Sequence, residues 1–202
     1  MTITQNHPAR IGPNAINRIA EAITTEFGEA RAQQIFSDAG LAAYLSEPPE
    51  QMVEERDVSR LHQVVRSAFA PESAAHISWM AGSLTADYLL AHRIPTPAQR
   101  LLRLLPPRYA ARQLLSAIAK HAWTFAGSGT FRYKNGHPTR ITITGCPICA
   151  DAPASDTPVC DYYAATFAGI FSALVSPSTR VVEVACQATG SPACVFEISW
   201  RR

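Results

Sequence analysis

Phe131-Arg132-Tyr133-Lys134-Asn135-Gly136-His137-Pro138-Thr139-Arg140-Ile141-Thr142-Ile143-Thr144 is where the chain changes its period. Before it, apolar residues recur at helical spacing. Within it, Phe131 and Tyr133 alternate with Arg132 and Lys134, and Ile141 and Ile143 alternate with threonines. A period of two marks a strand with one buried face. Asn135-Gly136 predicts the tight turn of a hairpin, because that turn needs positive φ and these residues accept it. Farther on, Thr157-Pro158 opens a helix running to about residue 175. Ser176-Pro177-Ser178 then leads into a strand over 181–186, and Gly190-Ser191-Pro192 turns it into a return strand over 194–200. Two hairpins flanking one helix predict an antiparallel sheet.

Upstream, everything reads as helix. Ile16, Ile19, Ile23 and Phe27 form one stripe closed by Gly28 at a C-cap position, and Ile35, Phe36 and Ala39 carry the pattern to Gly40. Glu47-Pro48-Pro49-Glu50 breaks it. Val58, Leu61, Val64, Val65, Ala68 and Phe69 form the next stripe, and Ile77, Met80, Ala81, Leu84 and Tyr88 another, ending near Ile94-Pro95. Thr96-Pro97 caps a short helix that Pro106-Pro107 stops, and a further helix is expected over 107–125, with Gly127 and Gly129 beyond it. The fold class is therefore α+β, with N-terminal helices packed on an antiparallel sheet of two hairpins flanking a helix.

Composition narrows the function. At 202 residues the chain fits a single domain, and 47% hydrophobic residues are enough for a real core. Charged residues are only 17%, a thin supply that suggests apolar contacts with a ligand, partner or membrane face. A net charge of +2 does not imply nucleic acid, and none is expected as a partner. No apolar run approaches the roughly 20 residues of a membrane span. MTITQNHPAR lacks the apolar centre of a signal peptide, so a cytoplasmic protein is expected.

Charge is unevenly spread. From Tyr88 to Ala150 there is no Asp or Glu, while Arg93, Arg100, Arg103, Arg108, Arg112, Lys120, Arg132, Lys134 and Arg140 lie within. This is either a solvated face with counter-charges from elsewhere in the fold, or a face that meets an anion: a carboxylate ligand, a phospholipid surface or an acidic partner. Leucines interleaved with arginines over 100–105 fit an interfacial helix as well as a helix on a core.

Five cysteines without a secretory signal point away from disulfides and toward metal or thiol chemistry. Strand parity puts Val182, Val184 and Cys186 on one apolar face and Cys194, Phe196 and Ile198 on one face of the returning strand. On the intervening helix Cys160 aligns with Tyr163, Phe167, Phe171 and Leu174, in a first turn that favours a thiolate. Three inward cysteines then converge, and Cys146-Pro147-Ile148-Cys149 offers a fourth, the inventory of a structural zinc site. The expected ligands are Cys149, Cys160, Cys186 and Cys194. Cys146 and Glu183 are alternates for the fourth place, although parity sets Glu183 opposite Cys186 unless a bulge intervenes. The same cysteines also read as small buried hydrophobes, as a Cys-x-x-Cys redox pair, or as iron–sulfur ligands.

The segments Pro158-Val159-Cys160-Asp161-Tyr162-Tyr163, Val181-Val182-Glu183-Val184-Ala185-Cys186 and Gly190-Ser191-Pro192-Ala193-Cys194-Val195-Phe196 resemble the vinyl-4-reductase domain. With Gly145-Cys146-Pro147-Ile148-Cys149 added, the chain is similar to the bacteriochlorophyll 4-vinyl reductase family. The resemblance covers about residues 120–200. It divides a single domain (1–202) into a helical part (1–119) and a vinyl-4-reductase domain (120–202). It implies a ligand-binding fold related to heme-based nitric oxide sensors and vesicle-tethering subunits. Members in phenol-responsive regulators carry zinc at a Cys, Glu/Cys, Cys cluster, which implies Cys160, Cys186 and Cys194 here and leaves Glu183 a rival for the open position.

The family name implies reduction of the 8-vinyl (old 4-vinyl) group of a divinyl chlorophyllide-type tetrapyrrole, a step that needs two electrons. No GxGxxG follows a strand, and Gly127-Ser128-Gly129 precedes a hairpin and reads as a helix stop. Two readings remain, a tetrapyrrole carrier or accessory to the reduction step, and the reductase itself with an external donor; a ligand-sensing or membrane-tethering module is a third. For a flat apolar macrocycle, Trp123 and Phe125 lie where the resemblance expects the pocket, Tyr163 and Phe167 face it from the other side, and Trp79 is a further candidate. His121 is the candidate ligand for a central magnesium. The partners expected are a bacteriochlorophyll precursor, other enzymes of that biosynthesis, a peripheral contact with the photosynthetic membrane, and a second copy in a homodimer.

Overall fold

An α-helix that is apolar on every side needs a layer on each flank, and the segment after residue 160 is such a helix. The computed structural model describes residues 9–201; residues 1–8, which carry most of the N-terminal stretch read above, and residue 202 lie outside the description. Six helices and two short strand pieces come first: β1 (Arg10–Ile11), α1 (Asn14–Phe27), α2 (Glu29–Asp38), α3 (Ala43–Ser46), β2 (Val53–Glu54), α4 (Glu55–Ala68), α5 (Pro71–His92) and α6 (Thr96–Leu104). Then follow α7 (Pro107–Lys120), α8 (Trp123–Ala126), β3 (Thr130–Lys134), β4 (Thr139–Thr144), α9 (Asp161–Leu174), β5 (Arg180–Ala185), a 3-10 turn (Gln187–Thr189) and β6 (Cys194–Ser199). The four long strands form one antiparallel sheet in the order β3-β4-β6-β5. The α+β architecture is as expected.

α9 is the middle layer. Tyr163, Phe167 and Phe171 face the sheet side, where Ile141, Ile143, Phe196 and Ile198 are fully buried. Its opposite side lies on α5 along small residues: a Cβ on Gly82 would collide with the Tyr162 carbonyl oxygen, and one on Gly169 with the Ala86 Cβ. Thr166 donates to the Gly82 carbonyl oxygen at 3.1 Å, and Thr85 and Tyr162 share a hydroxyl contact of 2.9 Å. α1 packs on the far side of α5, burying Ile16, Ile19 and Ile23.

Four local expectations are corrected. The helix expected over 107–125 breaks at His121, whose N–H turns back to Ile118, so α8 is a separate turn. The hairpin between β3 and β4 does not turn on Asn135-Gly136 alone: pairing ends at Lys134 and Arg140, and neither turn residue takes positive φ. Pro138 has no N–H for a ladder position, so the loop is longer. α9 starts at Asp161, which leaves Cys160 at the N-cap and not in the first turn. On β5, Val182 and Val184 face solvent, while Val181 is buried. The strand bulges there: Glu183 faces Phe196, and Ala185 faces the next residue, Val195, so Val184 is the extra one.

Candidate metal centre

The bulge decides which side chains meet. An inserted residue shifts parity by one, so Glu183 and Cys186 lie on the same inner side despite their odd spacing. Cys160 arrives from the α9 N-cap, Cys194 from the start of β6, and Cys146 and Cys149 from the loop after β4. All five cysteines are buried and unbridged. Cys160 Sγ lies 3.6 Å from Cys146, 3.9 Å from Cys186 and 3.6 Å from Cys194. Cys194 lies 3.8 Å from Cys186 and 3.4 Å from Cys149. Four sulfurs around one zinc at about 2.3 Å stand about 3.8 Å apart, so these separations fit a mononuclear tetrahedral ion.

Two groups of four have donor atoms within 4.8 Å of one another: Cys146, Cys149, Cys160 and Cys194, and Cys160, Glu183, Cys186 and Cys194. The expected quartet is thus divided between them, Cys149 falling with Cys146, and Cys186 with Glu183. Glu183 accepts the Cys160 N–H at 2.8 Å through Oε2, while its buried Oε1 has no partner. Burial first, and the Cys186 sulfur second, push its carboxyl up to about 8. Among the thiols, contacts led by Cys146 pull Cys149 down and push Cys160 up. Five packed thiols cannot ionise together, and a dication in their midst removes that conflict.

Helix α4 holds the Cys-x-x-Cys loop. Ser59 donates to the Pro147 carbonyl oxygen at 2.8 Å, and Arg66, two turns on, donates to that of Ile148 at 2.8 Å. The Gln187 side chain accepts the Cys146 N–H at 2.7 Å. The remaining guanidinium nitrogens of Arg66, Nε and Nη1, are buried without partners; burial lowers its pKa, and the neighbouring thiols, Cys160 first, oppose that. Between Ser59 and Arg66 lies His62, fully buried against the Tyr162 ring at 5.5 Å. The sequence signal for these three was available: polar residues spaced 3 and 4 apart beside the apolar stripe of α4. Outside the loop a cleft of about 570 Å³ opens beside Cys146 and Cys149, walled by small residues such as Gly145, Ala150 and Ala188.

The six residues expected to hold a macrocycle divide. Phe125, Tyr163 and Phe167 come together, with Phe125 5.9 Å from Tyr163 and 6.3 Å from Phe167, and Tyr163 donates to the Phe125 carbonyl oxygen at 2.6 Å. Phe131 and Phe196 complete this aromatic cluster. His121 and Trp123 flank it from the surface, Trp123 being 61% exposed. Trp79 stands separately on α5, 42% exposed.

Residues 139–199 match the vinyl-4-reductase domain family, a span that holds all five cysteines. The chain is 46% identical over 189 residues to the bacteriochlorophyll synthase 23 kDa chain of Cereibacter sphaeroides, covering 94% of this chain and 90% of that one. It is 36% identical over 192 residues to the protein of the same name from Rhodobacter capsulatus, covering 95% and 88%. In fold it is similar to an H-NOX protein mutant from K. algicida in the Fe(II) unliganded state, with a TM-score of 0.61, 10% identity, and 95% and 97% of the two chains covered. An H-NOX mutant from S. oneidensis in the Fe(II) state gives a TM-score of 0.50 at 10% identity over 95% and 97%. The expected kinship with nitric oxide sensors therefore holds as architecture. Aligned over nearly its whole length with both 23 kDa chains, this protein belongs to the bacteriochlorophyll synthase 23 kDa chain family, whose C-terminal part is a vinyl-4-reductase domain.

Proposed function

We propose that this protein works in bacteriochlorophyll biosynthesis as a carrier or accessory that binds a divinyl protochlorophyllide-type tetrapyrrole, with zinc fixing the domain that presents it. The observation that carries the reading is the 46% identity over 94% of the chain to a bacteriochlorophyll synthase subunit. Carriage is favoured over reduction by topology: the sheet is antiparallel, and among the described residues no strand runs through a Gly-rich turn into a helix to bind a dinucleotide.

Trp123 offers an exposed ring for stacking on the macrocycle, with Phe125 and the Tyr163–Phe167 pair behind it as a stiff apolar support. His121, exposed beside it, is the nitrogen available to a central magnesium. Zinc fits Cys160, Glu183, Cys186 and Cys194: the sulfur spacing is right, and the unpartnered Glu183 Oε1 is a buried acceptor that a cation satisfies. Bound there, it ties α9, β5 and β6 to one another.

Titration with divinyl protochlorophyllide should quench tryptophan fluorescence, with micromolar affinity from several hundred Å² of apolar burial at ~25 cal/mol per Å² less ordering costs. Trp123→Ala should weaken binding about tenfold and Trp200→Ala little. Absence of any spectral change overturns the binding, and reduction of the vinyl group by the purified chain with NADPH alone overturns the carrier role.

A further inference from the structure

Zinc at Cys160, Glu183, Cys186 and Cys194 leaves Cys146 and Cys149 without a part, yet both are buried against that set. Cys146 lies 3.6 Å from Cys160, and Cys149 lies 3.4 Å from Cys194. The two groups of four donors are therefore two tetrahedra that share one edge, the Cys160–Cys194 pair at 3.6 Å. A thiolate sulfur has three lone pairs and can bind two ions at once.

We propose, building on the zinc reading above, that the centre holds two divalent ions of the zinc class bridged by the Cys160 and Cys194 thiolates. Cys146 and Cys149 complete one ion's shell; Glu183 and Cys186 complete the other's. The shared edge has the right length: two ions about 2.3 Å from both bridging sulfurs lie about 3 Å apart on either side of it.

Charge favours the pair over a single ion with two idle thiols. The first ion with three thiolates and a carboxylate carries two negative charges. The second adds two positive charges and lets Cys146 and Cys149 ionise, so the net charge is unchanged while two buried thiols gain a cation. Arg66, with Nε and Nη1 buried and unpartnered, supplies positive charge beside the cluster. The supports a metal loop needs are present for this second shell. Ser59 and Arg66 hold the carbonyls of Pro147 and Ile148, Gln187 holds the Cys146 N–H, and the cleft beside Cys146 and Cys149 is an entry path.

Native mass spectrometry of the full chain, purified without chelator in the presence of zinc, reads the stoichiometry directly. Two ions per chain are expected. One ion overturns this inference and leaves the single-zinc reading standing; none overturns both. The double variant Cys146→Ser/Cys149→Ser should fall from two ions to one, and retention of two overturns the assignment of ligands. Cadmium-113 loaded into the unaltered chain should give two resonances split by coupling through the shared sulfurs, and a single resonance again overturns the proposal.

Discussion

His62 is the residue whose chemistry its surroundings constrain most simply. Its ring is fully buried, both nitrogens lack partners, and the Ala15 backbone beside it lies outside hydrogen-bonding geometry. Burial first, and the charge of Arg66 second, push its pKa down to about 3 from an ordinary 6.5. The unfolded chain takes up a proton below about 6.5 and the folded one does not, so this site costs stability as pH falls, about 1.4 kcal/mol per unit down to about 3. His62→Phe keeps the edge contact on Tyr162 and removes the titration. Denaturant melts at pH 7.5 and 4.5 should show the variant losing less stability than the parent; an equal loss refutes the assignment. Glu183 marks the limit of sequence reading at this scale. Cys160, Cys186 and Cys194 were legible from periodicity, but a bulge is one extra residue with no signature of its own, and it reverses the side to which Glu183 and the two valines around it belong.

At the scale of elements, the contact between α5 and α9 is the most demanding. The stripe Ile77, Ala81 and Leu84 made α5 legible in the sequence, yet Gly82 and Gly169 drew no notice, because a glycine's role in helix packing depends on a neighbour that only the fold supplies. Gly82→Ala drives a methyl into the Tyr162 carbonyl and should cost about 2–3 kcal/mol, as overpacking does. Ser83→Ala, one position on, has its hydroxyl bonded only to its own helix at Trp79 and should change stability by less than about 0.5 kcal/mol. Urea melts of the two variants check both values, and equal costs would remove the close approach as the cause. The breaks at Pro106, Gly127 and Gly28 were all legible, since each acts through its own backbone.

Across the whole molecule, charge is segregated. Of the nine basic residues in the acid-free stretch, Arg140 pairs with Glu197 on the neighbouring strand at 2.6 Å; among the described residues the other eight form no ion pair. Leu101 and Leu104 on α6 are 61% and 84% exposed between Arg100 and Arg103, and no described helix is long and apolar enough to cross a membrane. The proposed contact is therefore with the surface of an anionic bilayer. Flotation with anionic liposomes should carry the protein at low salt and release most of it at about 0.5 M, where the Debye length falls to about 4 Å; neutral liposomes should carry little. Equal partitioning at both salts would leave these arginines a solvated face. The helices-then-sheet order was legible because period changes are long-range signals, whereas the counter-charge of Arg140 depended on strand register.

β5 is an edge strand, and its outward valines Val182 and Val184 would suit a neighbour of the same kind. An open edge with apolar residues is a template on which a second chain can add itself, strand upon strand, into an aggregate. The extra residue at Val184 interrupts the regular row of donors and acceptors that such growth requires. The bulge that turns Glu183 toward the cysteines thus also guards the solubility of the chain.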